Sequence, residues 1–248
     1  MEVTIKRDPL ELGQFAGQLA AEQIRTAIDE NGQANILLAT GASQLETLNR
    51  LVKANEVDWT KVVMFHLDEY IGMSASHPAS FSRYLKERFL DKVGPIKAGY
   101  LIDGMEEPGK ECERLNKLIV QYPIDVALVG IGENGHLAFN DPPADFDTRI
   151  PYLVVQLDHR CRQQQLAEGW FDALADVPAQ AISMSVQQIL AARYIICSVP
   201  GERKALAVQQ CLENPVSNQY PASILQGHQH CSCFLDSSSA QLLQSVLR

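Results

Sequence analysis

An imidazole and a carboxylate five residues apart, His136 and Asp141, occupy the stretch Val129-Gly130-Ile131-Gly132-Glu133-Asn134-Gly135-His136-Leu137-Ala138-Phe139-Asn140-Asp141-Pro142. Histidine titrates near neutral pH, and three glycines within six positions let the backbone adopt φ > 0 and approach a ligand closely. The preceding apolar run from Ile124 to Val129 is too short for a helix and rich in β-branched residues, so it reads as a buried strand ending at Gly130. Chemistry placed at a strand's exit in this way suits proton transfer on a small polar substrate.

The glycine spacing G-x-G-x-x-G also fits a dinucleotide-binding turn, but that turn belongs after the first strand and before a helix. Here it lies past residue 120, and Phe139-Asn140-Asp141-Pro142-Pro143 interrupts the segment where the helix would run. The plain alternative is a Gly-rich connector carrying a surface histidine.

Further groups could contribute chemistry. Asp68 and Glu69 follow the short apolar run Lys61–Leu67, and acids at the carboxyl ends of parallel strands are candidates for catalysis, with solvated turn charges as the alternative. Thr40-Gly41-Ala42-Ser43 lies between a strand and a helix, where free N–H groups and two hydroxyls would receive a phosphate; an ordinary N-cap and turn would look the same. Arg160 and Arg162 carry forks matched to phosphate, or are simply solvated. Lys204 stands in the first turn of a helix, where the dipole disfavours a cation, which hints at a neighbouring anion. His77, before Pro78, reads as a turn residue.

The elements that must position these groups follow from periodicity. Helices are expected over residues 9–30, ended by Asn31-Gly32, then over 44–53, 80–90, 107–122, from 158 to Trp170-Phe171, over 185–190, from about 202, and over 239–247. Strands are expected at 35–39, 61–67, 124–130, 153–157, 181–184, 194–199 and 230–235. Alternating strand and helix with no repeat or linker predicts a single α/β domain over 1–248: a mostly parallel sheet, right-handed crossovers, and helices on both faces. Residues 40–43, 68–69 and 130–141 would then meet at one rim, in a cleft suited to a phosphorylated polyol.

Composition agrees. The chain has 248 residues, 46% hydrophobic and 21% charged, which is normal for a globular protein. A net charge of −9 argues against nucleic acid or an anionic membrane surface as partner, and no apolar stretch nears the length of a membrane span. Six cysteines without C-x-x-C spacing, and no apolar leader at Met1-Glu2-Val3-Thr4-Ile5, point to reduced thiols and a cytoplasmic protein. Cys231 and Cys233 share a strand face; a second cysteine pair would be needed for a metal site, so they read as core residues.

These motifs resemble the glucosamine-6-phosphate isomerase/deaminase family, which shares its Rossmann-like fold with the 6-phosphogluconolactonases. The likeness spans nearly the whole chain and rests on Leu67-Asp68-Glu69-Tyr70-Ile71-Gly72 with His77-Pro78, on Gly130 to Pro142, on Thr40 to Ser43, and on Lys204-Ala205-Leu206-Ala207. The resemblance implies isomerisation and deamination of glucosamine 6-phosphate to fructose 6-phosphate and ammonia, with no redox cofactor or metal. It implies Asp68 as the base moving a proton between C2 and C1, His136 as the ring-opening residue, and Asp141 as the carboxylate that holds it. Thr40, Gly41, Ala42, Ser43, Arg162 and Lys204 would bind the phosphate, and Glu69 and Gly135 would touch the sugar.

Two departures stand out. Asn134 replaces an aspartate two positions before the histidine, and Asp141 replaces a glutamate, which bears on how His136 is activated and which sugar is used. The segment Pro142 to Pro151 lacks the serines and lysine of allosterically activated members, so no such activation is expected. Competing readings are a galactosamine-6-phosphate deaminase, a 6-phosphogluconolactonase, against which Leu137-Ala138-Phe139-Asn140-Asp141 speaks, and a non-catalytic sugar-phosphate sensor. Whether the chain forms a homo-oligomer stays open at this level.

Overall fold

The structure is a computed structural model that describes residues 1–244. In chain order it begins β1 (Glu2–Lys6), α1 (Pro9–Asn31), β2 (Ala34–Leu38), α2 (Leu45–Leu51), β3 (Val62–His66), β4 (Asp68–Tyr70) and α3 (Phe81–Leu85). It continues α4 (Asp91–Val93), β5 (Ala98–Tyr100), α5 (Pro108–Ile119), β6 (Val126–Val129), β7 (Tyr152–Gln156) and α6 (His159–Ala167). Last come β8 (Gln180–Met184), α7 (Val186–Leu190), β9 (Tyr194–Val199), α8 (Ala205–Glu213) and β10 (Cys231–Asp236).

Seven strands form a parallel sheet in the order β1-β10-β9-β6-β2-β3-β5. From β2 the chain winds outward to β3 and β5; it then returns to add β6, β9 and β10 on the other side. The order therefore reverses between β2 and β6, and a crevice opens at their carboxyl ends. The strands are apolar throughout because both faces are covered. Leu37, Ala127 and Val129 face one core, backed by α5, α7 and α8, while Ile36, Leu38, Val126 and Leu128 face the other, under α1 and α2.

Gly13 and Gly17 on α1 allow α2 to lie against it. A Cβ on Gly13 would stand 2.3 Å from Cβ of Glu46, and one on Gly17 would stand 2.7 Å from Cβ of Arg50. Side chains at either position would force the helices apart, and with them the turn that precedes α2.

The expected parallel sheet is present, but a second sheet accompanies it. After the single residue Leu67, β4 leaves β3 and pairs antiparallel with β8, which pairs with β7. Leu67 accepts from Met184 N at 2.7 Å, and the hydroxyl of fully buried Tyr152 donates to His66 O at 2.8 Å, so the small sheet is fastened to the exit of β3. The strand expected at 153–157 thus belongs to this antiparallel sheet.

Other differences are local. β1 and β5, at the two edges of the parallel sheet, are absent from the sequence reading because the first is only partly buried and the second spans three residues. The turn before α2 is a 3-10 segment, Ala42–Gln44, and Lys86–Leu90 forms a π turn between α3 and α4. The helix from 158 stops at Ala167 instead of reaching Trp170-Phe171. Of the helix expected over 239–247, residues 239–244 are turns or irregular, and the remainder lies outside the described residues.

Candidate active site

One cavity of about 470 Å³ lies at the crevice between the carboxyl ends of β2 and β6. The exits of four strands line it: Ala39 to Ser43 after β2, Leu67 and Asp68 after β3, Gly130 to Glu133 after β6, and Pro200 to Lys204 after β9. His136, Phe81 and Phe139 complete one side, and Gln164, Gln165 and Glu168 of the α6 segment another.

Asp68 enters the cavity because the chain changes sheets at this residue, facing Ser183 of β8 in the register. It is 6% exposed, and among the described residues no hydrogen bond reaches its carboxylate. Burial, and then the charge of adjacent Glu69, raises it to about 8. A desolvated carboxylate of this kind is a strong base once ionised.

His136 is held by its own loop. Its backbone N–H donates to Oδ1 of Asn134 at 3.1 Å, and its carbonyl accepts from Gly132 N at 2.9 Å. Nδ1 is buried 3.2 Å from Oδ1 of Asp141, off the axis of a good hydrogen bond and with no other partner. Nε2 packs over Gly132, where a Cβ would come within 2.2 Å of it. This close approach is what the second glycine of the motif permits.

Asp141 is fixed from three sides. Asn134 Nδ2 donates to it at 2.9 Å, the backbone N–H of Asp158 at 3.0 Å, and His136 stands beside it. Burial pushes its carboxyl up, but the adjacent imidazole of His136, the Asn134 amide and the Asp158 N–H outweigh that, leaving it below the ordinary value. Asn134 therefore acts on Asp141 rather than on the imidazole. Neither Asn134 nor Asp141 lines the cavity; both act through His136.

Among the described residues, His136, Asp141 and Cys161 are the grouping with metal-like spacing, their ligand atoms within 4.8 Å of one another. Burial, with the charges of Asp141 and Asp158, pushes the Cys161 thiol well up, which favours the protonated form over a thiolate ligand.

The same cavity is lined by the turn Thr40 to Ser43 and by Lys204. Tyr84 donates its hydroxyl to Gly41 O at 3.0 Å, and Gln44 Nε2 donates to Val129 O at 3.0 Å, tying the turn to the helix layer and to β6. The loop before Lys204 is held by Asp236 at the end of β10, whose carboxylate accepts from Gly201 N at 3.1 Å. Burial lowers Lys204, against the charges of Glu168 and Glu133. Among the described residues it has no ion pair within 4 Å.

Three expectations are corrected. Arg162 does not reach the cavity: its guanidinium donates to Val177 O at 2.8 Å and Leu174 O at 2.7 Å, closing the segment after α6. Glu69 turns the other way along β4 and accepts from Ser80 Oγ at 2.7 Å, Ser82 N at 2.9 Å and Tyr70 N at 2.9 Å, so it anchors the start of α3. Gly135 lies behind the histidine, where a Cβ would face Cys211 Sγ at 3.3 Å. His77 packs on Phe171 away from the cavity lining. Arg203, Gln164, Gln165 and Glu168 line the cavity without having been anticipated; the i, i+4 spacing of Gln164 and Glu168, which puts both on one helix face, was the available signal.

A sequence model of the glucosamine-6-phosphate isomerases/6-phosphogluconolactonase family matches residues 7–233. The chain belongs to that family. It is 34% identical over 245 residues to a glucosamine-6-phosphate deaminase of Lactobacillus delbrueckii subsp. bulgaricus, covering 98% of this chain and 100% of that protein. A glucosamine-6-phosphate deaminase of Exiguobacterium is 36% identical over 226 residues, covering 91% and 87%. Among solved structures, a monomeric glucosamine-6-phosphate deaminase superposes with a TM-score of 0.87 at 30% identity, over 98% of this chain and 100% of the other. A 6-phosphogluconolactonase from Shewanella baltica, at 20% identity and a TM-score of 0.79 over 95% and 97%, shares the fold. Among the described residues of this family member, no helix is long and apolar enough to cross a membrane.

Proposed function

We propose that residues 1–248 act as one domain that converts glucosamine 6-phosphate and water to fructose 6-phosphate and ammonia. The observation that carries this reading is the sharing of one cavity by Asp68, His136, the Thr40–Ser43 turn and Lys204. Acid–base groups and donors for an anion thus share one cavity, as an opened sugar with a charged tail requires.

In this reading the phosphate rests on the turn and on Lys204, with Arg203 beside it. His136 passes a proton between the ring oxygen and the anomeric hydroxyl to open the ring. Asp68, as carboxylate, takes the proton from C2 and returns it to C1 through an enolamine; the resulting imine at C2 adds water and releases ammonia. Asp141 and Asn134 keep the imidazole oriented. All of these residues come from one chain, so no second copy is required. The six cysteines are free and buried, which supports a reducing compartment, the cytoplasm.

The test follows both products. Purified protein is incubated with glucosamine 6-phosphate while fructose 6-phosphate and ammonia are measured, with galactosamine 6-phosphate and 6-phosphogluconolactone in parallel. Equal release of the two products from glucosamine 6-phosphate is expected. Lactone hydrolysis without ammonia release, or ligand-induced thermal stabilisation without turnover, would overturn the assignment.

A further inference from the structure

The proposed anion site contains an anion of the protein's own. Glu168 follows α6 and lines the cavity together with the Thr40–Ser43 turn and Lys204. Its Oε2 stands 3.8 Å from the position a Cβ on Gly41 would take, and its Oε1 accepts from Gln164 Nε2 at 2.9 Å. Gln164 in turn accepts from Glu133 N at 2.9 Å, which fixes this arm to the loop carrying His136. The carboxylate is therefore held over the turn by a relay of side chains.

Its surroundings mix both signs. Lys204 lies within electrostatic reach of Glu168 and Glu133, while Arg203 is paired with Glu133 at 2.6 Å. The charge of Glu168 is also felt by the phenol of Tyr84, whose hydroxyl bonds Gly41. Arg203 and Lys204 thus share the cavity with the carboxylates of Glu46, Glu133, Glu168 and Glu202, and of these acids Glu168 stands over the glycine turn.

We propose that Glu168 sets the affinity of this site for the phosphate tail: its carboxylate stands over the turn and within the field of Lys204, and the incoming phosphate displaces it. This rests on the phosphate reading of the cavity. A dianion and a carboxylate cannot both approach the same turn and lysine without strong repulsion, so binding requires Glu168 to swing away with its Gln164 partner. The residue then determines specificity, since an uncharged sugar would not need to displace it and would not recover the lysine's attraction.

The test uses inorganic phosphate as the probe, titrated calorimetrically into the full chain, with fructose 6-phosphate as a second ligand. Glu168→Gln, which keeps the shape and a hydrogen bond to Gln164, is expected to bind phosphate about tenfold more tightly than the natural protein. Glu168→Ala should tighten binding in the same direction; a purely structural role would weaken it in both. Lys204→Met provides the reference and should weaken phosphate. If Lys204→Met weakens binding while both Glu168 variants bind as the natural protein does or worse, the role of Glu168 is overturned and the phosphate site survives. If Lys204→Met leaves phosphate binding unchanged, the phosphate site itself is wrong, and this proposal falls with it.

Discussion

Nδ1 of His136 stands 3.2 Å from Oδ1 of Asp141, and that carboxylate is gripped by the side-chain amide of Asn134 and the backbone N–H of Asp158. The histidine is thus oriented by a carboxylate that is itself fixed by a second loop, at the start of α6. Asparagine at 134 is compatible with this arrangement because it donates to Asp141; a carboxylate there would face Asp141 and Asp158, its two hydrogen-bond acceptors.

Asp141→Asn keeps the shape but removes the charge that orients and supports the imidazole. We expect kcat to fall by about 10² to 10³-fold with little change in KM, because the group acts through His136 rather than on bound sugar. Steady-state kinetics on folded protein, checked by circular dichroism, decides this; kcat within about twofold of the natural value would remove Asp141 from the reaction.

Asp68 predicts a pH profile and a stability change together. Only the ionised carboxylate can take a proton, so kcat/KM should rise with pH and level off above about 8. A carboxyl raised in the folded state contributes stability that is present below its unfolded value and lost as pH rises toward about 8. Asp68→Asn removes that loss: it should abolish turnover and stabilise the protein by roughly 2 kcal/mol near pH 8. Urea unfolding of both proteins across the acid-to-alkaline range tests the sign; equal stability everywhere would contradict the desolvation account.

Gly132→Ala places a methyl group 2.2 Å from Nε2 of His136 if nothing moves. The ring must be displaced. We expect a loss of about 1–3 kcal/mol in stability and at least about a tenfold drop in kcat. A variant with normal kinetics would show that the imidazole is not held as described.

Arg162 and Lys204 are expected to separate cleanly. Arg162→Ala leaves the carbonyl of Val177 without its donor and that of Leu174 with only the Val177 N–H, and should cost about 1–3 kcal/mol of stability, with KM changed by less than about twofold. Lys204→Met should raise KM by about tenfold or more with a small effect on stability. The reverse pattern would restore the arginine to the phosphate site and displace the lysine from it.

Much of the parallel sheet was legible because its strands are short apolar runs ending in glycine-containing turns, a local pattern that survives in the sequence. β2, β6 and β9 carry that signal and β3 only its apolar run, and the segments after these four strands bring Gly41, Asp68, Gly132 and Lys204 to one cavity. β1 and β5 escaped because edge strands are short or half-exposed. The second sheet escaped because the local residue pattern of β7 and β8 says nothing about which strand each will pair with.

The amino-acid sequence by itself determined which residues could carry the chemistry and that strand exits would gather them, since hydrophobic period, glycine placement and titratable side chains are properties of each segment alone. Tertiary structure decided the directions. The change of sheet at Asp68 turns it into the cavity and Glu69 away from it, because successive strand residues point to opposite faces. It likewise folded the chain after α6 back under Arg162, whose guanidinium is captured by two carbonyls 12 and 15 residues further on, and left Glu168 beside Gly41. Those partners are distant in sequence and meet only by packing, so no local pattern could have named them.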